Sequence, residues 1–201
     1  MTKQTITIRQ ATLQDTEKVT QFRIDQFRTA KEFELLSIDP LSQMKGQVLI
    51  AEFENEIIST MQFQKISNHE ELVANETEYI PDTFDYFETF YLSKGGTKRE
   101  FRNTGINSYL RKIILEIAID NSAINSLTGT AYENAPRINT LKRIGYNITD
   151  TYTVKTDYIK ATEKPLFLSL ERQNFLTAIE FLETESVELK NNYNIINKMV
   201  C

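Results

Sequence analysis

Polar and apolar residues alternate through Thr5-Ile6-Thr7-Ile8-Arg9, the period of a strand with one buried face. Thr12 or Asp15 then caps a predicted helix that carries Val19, Phe22, Ile24 and Phe27. Residues 33–44 are less regular, with Pro40 and Gly46 as breakers, and predict a second short helix. Residues 48–53 and 57–63 read as an antiparallel pair around Glu54-Asn55-Glu56. The acidic, polar stretch 67–81 reads as a loop. Aromatic and β-forming residues at 84–93 predict a strand, which Gly95-Gly96 should break or bulge. Ile106, Leu110, Ile113, Ile114 and Ile117 share one helical face, with Arg111, Lys112 and Glu116 elsewhere. A short strand is predicted over 124–131, then a helix with Ile138, Leu141 and Ile144 on one face. Residues 152–159 and 166–170 predict two further strands. A final amphipathic helix is predicted over 175–189, using Phe175, Ile179, Leu182 and Leu189.

Composition narrows the class. With 201 residues, 40% hydrophobic and 25% charged, the chain can bury one sizeable core, and one domain is expected. A net charge of −5 argues against nucleic acid as a partner, which would need a broad basic surface. No run is apolar and long enough to span a membrane, and residues 1–20 carry no signal-peptide pattern, so a cytoplasmic setting is expected. The single cysteine, Cys201, can form no internal disulfide. His69, in an Asn-His-Glu-Glu run, has no partners at metal spacing and reads as a surface residue, so no metal is expected.

The chemistry concentrates in residues 99–116, REFRNTGINSYLRKIILE, where polar and basic residues surround one glycine ahead of a helix. The first turn of a helix has backbone N–H groups without intrahelical partners, and its dipole favours negative charge. Gly105 should let the backbone approach a phosphate, with Arg102 available for charge-assisted hydrogen bonds. Lys94, Lys98, Arg99, Arg102, Arg111 and Lys112 form a local basic patch on an acidic chain.

Arg102-Asn103-Thr104-Gly105-Ile106-Asn107 resembles the R/Q-x-x-G-x-G/A loop of the GCN5-related N-acetyltransferase (GNAT) superfamily, which holds the pyrophosphate of coenzyme A. Phe101 and Leu110 match an aromatic and a leucine common in that family; Asn107 stands where it usually has Gly or Ala. A second resemblance lies downstream: a strand, Asn134 at the next helix start, and Gly145-Tyr146 at its exit. Asn134 suits an N-cap, Pro136 the first turn, and Gly145 a left-handed helix end. The family often places a tyrosine, the general acid for the leaving thiolate, at the position of Leu141.

The resemblance implies an α/β (α+β) fold with a mixed, mostly antiparallel central sheet, a splayed parallel strand pair and helices on both faces. The acyltransferase domain would occupy 1–172, and 173–201 would be a helical extension packed on it. The strand 87–94 would splay from 127–131, admitting the pantetheine arm, with Gly95-Gly96 offering free backbone to it. The implied activity is transfer of an acyl group from acetyl-CoA or another acyl-CoA to an amine of a small molecule or protein. Phe101, Arg102, Asn103, Thr104, Gly105, Ile106, Asn107 and Ser108 would bind the diphosphate, with Asn134 and Arg137 as further carrier-binding positions. Glu88 and Glu133 are candidate bases near the splay. Tyr132 is the preferred replacement for the absent tyrosine, with Tyr91 and Tyr146 as further hydroxyls.

Two alternatives share this frame. Ile57-Ile58-Ser59-Thr60-Met61-Gln62 and Tyr91-Leu92-Ser93-Lys94 resemble the N-acyl amino acid synthase and acyl-homoserine-lactone synthase branch. That branch implies long acyl chains from acyl-CoA or an acidic acyl carrier protein docked on the basic patch, with an acyl tunnel lined by residues 84–91. Asn107 and Leu141 instead suit a degenerate member that binds coenzyme A without turnover. Acceptor pockets would come from 22–44 and 67–83. A homodimer is compatible with all of these readings.

Overall fold

The alternation in the first segment does build a strand. In the computed structural model, which describes residues 3–26, 46–68, 71, 84–131, 134–151 and 165–199, β1 spans Gln4–Gln10 and buries Ile6 and Ile8 completely. Charge fixes the exit. Arg9 donates two hydrogen bonds of 2.7 Å to the Asp15 carboxylate, and others of 2.8 and 2.9 Å to Glu52. Asp15 also accepts from the N–H and the hydroxyl of Thr12, at 2.8 and 2.9 Å. That closes the turn leading into α1, Thr16–Gln26. Val19 and Phe22 of α1 pack with Val48, Ile50 and Ile57. Arg23 is buried as well, donating to the Gln62 side-chain oxygen at 3.1 Å.

Strands β2 (Gln47–Phe53) and β3 (Glu56–Ile66) pair antiparallel. Their reversal takes two residues, not the expected three: Glu54 and Asn55 both have positive φ, 50° and 66°, as a tight hairpin turn requires. Strand β4 covers Thr89–Thr97 and runs through Gly95-Gly96, so the expected break is absent. The irregularity sits one residue earlier, at Lys94, whose φ is 46°. Next come α2 (Ile106–Asp120), β5 (Asn125–Ala131), α3 (Ala135–Ile144), β6 (Asn147–Thr151) and β7 (Pro165–Glu171). The end of the chain holds α4 (Phe175–Glu185), α5 (Val187–Asn192) and β8 (Tyr193–Asn197).

The chain forms two compact units. One combines Met1–Phe63, Lys94–Ile113 and Leu182–Cys201; the other combines Gln64–Ser93 and Ile114–Phe181. In the first unit the strand order is β4-β3-β2-β1-β8, with β1 and β8 parallel. In the second it is β6-β7-β5-β4, with β4 and β5 parallel and a core of Ile66, Tyr86, Tyr91, Leu127 and Phe167. The result is a mixed, mostly antiparallel sheet with flanking helices and a C-terminal helical region. The parallel ladder of β4 and β5 covers Thr89–Leu92 with Asn125–Thr128. Beyond it, Gly129 to Ala131 pair with β7.

Two expectations need correction. Residues 173–201 are not helical throughout: α4 ends before Ser186, α5 is short, and β8 aligns with β1 from Gln4↔Tyr193 to Ile8↔Asn197. Five residues, Tyr-Asn-Ile-Ile-Asn, are too few to display a period, and the strand exists because β1 offers it an edge. Arg111, read as off the apolar stripe and part of the basic patch, is 2% exposed. Leu115 and Ala118 are buried beside the predicted stripe, so α2 is covered on most of its circumference. The expected helix at 33–44, most of the loop 67–81, the strand 152–159, His69 and Cys201 lie outside the described residues.

The Arg9 network makes stability depend on pH. The guanidinium holds the Asp15 carboxyl well below the usual carboxylate range, against the opposing effect of its burial. Protons therefore bind the unfolded chain first, at about pH 4. The contribution is complete above that pH and is lost as the solution is acidified toward the lower folded value. Asp15→Asn should cost about 2 kcal/mol at pH 7. In urea melts the gap to the unsubstituted protein should shrink steadily below about pH 4; a gap that stays constant to pH 2 would contradict the assignment.

Candidate anion-binding site

At the end of β4 the Lys98 N–H donates to the Ile58 carbonyl at 2.8 Å, and Arg99–Phe101 makes one tight helical turn. Phe101 is buried by ring contacts with Phe53 at 5.4 Å and Tyr193 at 6.2 Å between centroids. The chain then reverses through two left-handed residues, Asn103 (φ 63°) and Gly105 (φ 89°). Between them the Thr104 hydroxyl donates to the Phe101 carbonyl at 2.7 Å. The carbonyl of Gly105 accepts from the N–H of Tyr109 at 2.9 Å, which opens α2. The amides of Ile106, Asn107 and Ser108 precede that bond and have no acceptor within the helix. Gly105 has no side chain with which to cap them.

Gly105 serves the loop in a way the sequence did not suggest. A Cβ placed on it would lie 2.4 Å from the Glu185 carbonyl oxygen and 2.9 Å from the Ser186 Cα. The close approach that needs glycine is therefore made by the chain's own α4–α5 junction, not by a ligand. Arg102 and Asn103 are exposed, while Thr104, Asn107 and Ser108 are half-buried. Arg102 Nε donates to the Thr97 carbonyl at 3.2 Å, which ties its exposed guanidinium to the loop.

The basic patch contracts. Lys98 pairs with Glu56 at 2.6 Å, and Lys112 lies 3.5 Å from Glu183. Glu183 also pairs with Lys190, and these ammonium groups hold its carboxyl below the usual range against the effect of burial. With Arg111 buried, Arg99 and Arg102 are the exposed cations of the loop.

The downstream positions fold as their residue types require. The Asn134 side chain accepts from the Arg137 N–H at 3.3 Å, with proline in the first turn of α3. Gly145 ends α3 at φ 108°. Leu141 is 1% exposed. Tyr146 is equally buried and its hydroxyl lies 2.6 Å from the Ser126 hydroxyl, an internal contact. Tyr91 packs against Phe167 at 6.4 Å. The placement of Glu88 has to be corrected. It sits just ahead of Thr89, where the β4–β5 ladder begins, and pairs with Lys65. The ladder ends at Leu92, where Thr128 donates to the Leu92 carbonyl at 2.8 Å. At about 3.3 Å per strand residue, Glu88 is roughly 13 Å from that point. Tyr132 and Glu133 lie outside the described residues, among which no cluster of His, Cys, Asp and Glu could hold a metal.

No family model matches the sequence, and no curated protein matches it. Solved structures do. A GNAT family acetyltransferase from Elizabethkingia anophelis with acetyl-CoA bound is 18% identical, with a TM-score of 0.55 over 83% of this chain and 97% of that one. The fold is that of the GNAT acetyltransferases. An N-acetyltransferase from Staphylococcus aureus Mu50 shares the GNAT fold at TM-score 0.59 and 13% identity, covering 83% and 98% of the two chains. The ribosomal-protein-S18-alanine N-acetyltransferase from Escherichia coli matches at TM-score 0.57 and 12% identity, covering 83% and 93%.

The two left-handed glycines should respond differently to substitution. Gly105→Ala meets backbone at 2.4 Å, whereas a Cβ on Gly145 meets only the Leu170 Cδ1 at 3.4 Å. Gly145→Ala should cost about 1 kcal/mol for its φ alone. Gly105→Ala should cost more than about 2 kcal/mol. Chemical denaturation of the two variants checks the order, and an equal or reversed order would contradict the close packing at Gly105.

Proposed function

We propose that the protein is an acyl-CoA-dependent N-acyltransferase that moves a short acyl group, acetyl first among them, to an amine. The observation that carries this reading is the amide triplet at Ile106–Ser108, which has no acceptor within the helix that starts after Gly105, close in sequence to exposed Arg102. Such a helix start suits a diphosphate, which the amides meet with donors and the dipole with positive potential. The GNAT fold supports coenzyme A as the carrier. When bound, coenzyme A supplies the activated thioester. The chain's own part is to hold the diphosphate through the amides and the Arg102 guanidinium, which fixes the rest of the carrier by restricting its motion.

Packing favours a short acyl group over a long one. Of the rings in 84–91 expected to line an acyl tunnel, Tyr86 and Tyr91 are 6% and 5% exposed and pack with Ile66, Leu127 and Phe167, while Phe87 is exposed. The two tyrosines fill a core. The contracted basic patch likewise favours coenzyme A over an acidic carrier protein. The acceptor is an amine of a small molecule or a protein.

A second reading has its own support. Leu141 carries no hydroxyl, and that of Tyr146 is engaged inside the protein with Ser126. Binding of coenzyme A without turnover is consistent with both.

Calorimetry with coenzyme A tests the binding, and thiol release from acetyl-CoA over a panel of amines separates the two readings. Arg102→Ala should weaken coenzyme A about tenfold, the value of one charge-assisted phosphate contact. Failure of the unsubstituted protein to bind coenzyme A would overturn both readings. Binding with no thiol release from any amine would favour the second.

A further inference from the structure

The anion loop is touched at both ends by one segment, the last twenty residues of its unit. At the start of the loop, Tyr193 packs on Phe101, and both rings meet Phe53, at 5.8 and 5.4 Å. At the other end, the Glu185–Ser186 backbone lies against Gly105. Ser186 is fully buried there, its hydroxyl donating to the Leu182 carbonyl at 2.6 Å and reaching the Gly105 carbonyl at 3.5 Å. One helical turn further along α2, the Lys112 and Lys190 ammonium groups approach the Tyr109 ring at 5.5 and 5.1 Å, and Glu183 pairs with both lysines. Strand β8 then anchors the segment by its ladder with β1.

These contacts surround a loop with little local stability of its own. Asn103 and Gly105 are both left-handed, a region that asparagine and glycine tolerate but do not by themselves prefer over the other allowed regions. Three amides at the helix start gain nothing from the helix. The loop's own bonds, from Thr104 to the Phe101 carbonyl and from Arg102 to the Thr97 carbonyl, are supplemented by the α4–α5 junction, Tyr193 and Phe53, which pack on it.

We infer that residues 182–197 act as a brace that holds the anion loop in its binding shape, so that diphosphate affinity depends on side chains remote from the diphosphate. Glu183, Ser186 and Tyr193 are then positioning residues. The inference rests on the acyl-carrier reading for its ligand, but the mechanical part concerns the protein alone. Energetically the brace pre-orders what the ligand would otherwise have to order. Linkage makes the relation reciprocal: a bound diphosphate must stabilise the loop most where the brace is weakest.

The test compares the full chain with Glu183→Gln, Ser186→Ala and Tyr193→Ala by hydrogen exchange and by calorimetry with coenzyme A. In the absence of ligand, exchange in peptides covering 98–109 should rise about tenfold in the variants, with peptides from β5 and β7 unchanged. Coenzyme A should bind about five- to tenfold more weakly. Saturating coenzyme A should close the exchange difference, which a merely structural defect would leave open. Should Tyr193→Ala not fold, Glu183→Gln, at a partly exposed pair, carries the comparison alone. Variants that keep both the affinity and the loop exchange of the unsubstituted protein overturn the brace. So does faster exchange spread over every peptide. Absence of coenzyme A binding by the unsubstituted protein overturns the acyl-carrier reading and the affinity part of this proposal, while ligand-free exchange in 98–109 still decides whether the segment braces the loop.

Discussion

A helix that begins on a glycine leaves its first amides unanswered, and the rest of the site follows from that constraint. In α2 the first intrahelical bond runs from Tyr109 N–H to the Gly105 carbonyl, and Gly105 cannot cap. Buried, each orphan N–H would cost about 1–3 kcal/mol. They are tolerable only near the surface, where water or an anion supplies the acceptor. Around these amides burial is graded: Phe101 and Ile106 are buried, Thr104, Asn107 and Ser108 are half-buried, and Arg102 and Asn103 are exposed.

That arrangement is held by residues far away in sequence. Gly105 touches Glu185 and Ser186, Phe101 touches Phe53 and Tyr193, and β8 pairs with the first strand of the chain. The beginning, middle and end of the sequence therefore meet around a loop of about ten residues. Ion pairs at Glu183 add to this without dominating it, since partly exposed pairs contribute modestly. The tighter constraint is steric. A carbonyl oxygen 2.4 Å from where a Cβ would stand admits no residue other than glycine without movement of backbone.

The legible parts of the fold were those with local causes. Alternation in β1, the aliphatic stripe of α2, the Asn134 cap and the left-handed Gly145 are each decided within one element, and each reads correctly. The misread parts were decided by tertiary partners. Gly95-Gly96 signals a break or a bulge, yet β4 continues through both glycines, and the left-handed residue is their neighbour Lys94. Arg111 reads as solvent-facing because charge usually does, but α2 is enclosed too widely to spare that position. Strand β8 carries no periodic signal at all. In the site, the glycine and the helix start were visible, but the reason for the glycine was not: its neighbour lies eighty residues downstream. For Glu88, proximity along the chain did not say at which end of the β4–β5 ladder it would fall, and it lies just ahead of Thr89.

On the proposed reading, a site made largely of backbone is compatible with identities of 12% to 18% to solved structures of the same fold. Amide donors are present whatever the side chains are, so such a site depends on the path of the chain more than on a set of residues. Two left-handed positions and a helix start define that path here, and Asn107 in place of a smaller residue leaves it intact. Side-chain chemistry is under a different constraint. Leu141 lies in the core with no hydroxyl to offer, and the Tyr146 hydroxyl shares an internal hydrogen bond with Ser126. Positioning can still account for a large part of a rate, because well-oriented reactants gain up to about 7–11 kcal/mol relative to free ones. On the proposed reading, then, the shape of the loop matters more to this protein than any acid it might carry, and that shape is set by the packing of α4, α5 and β8 around it.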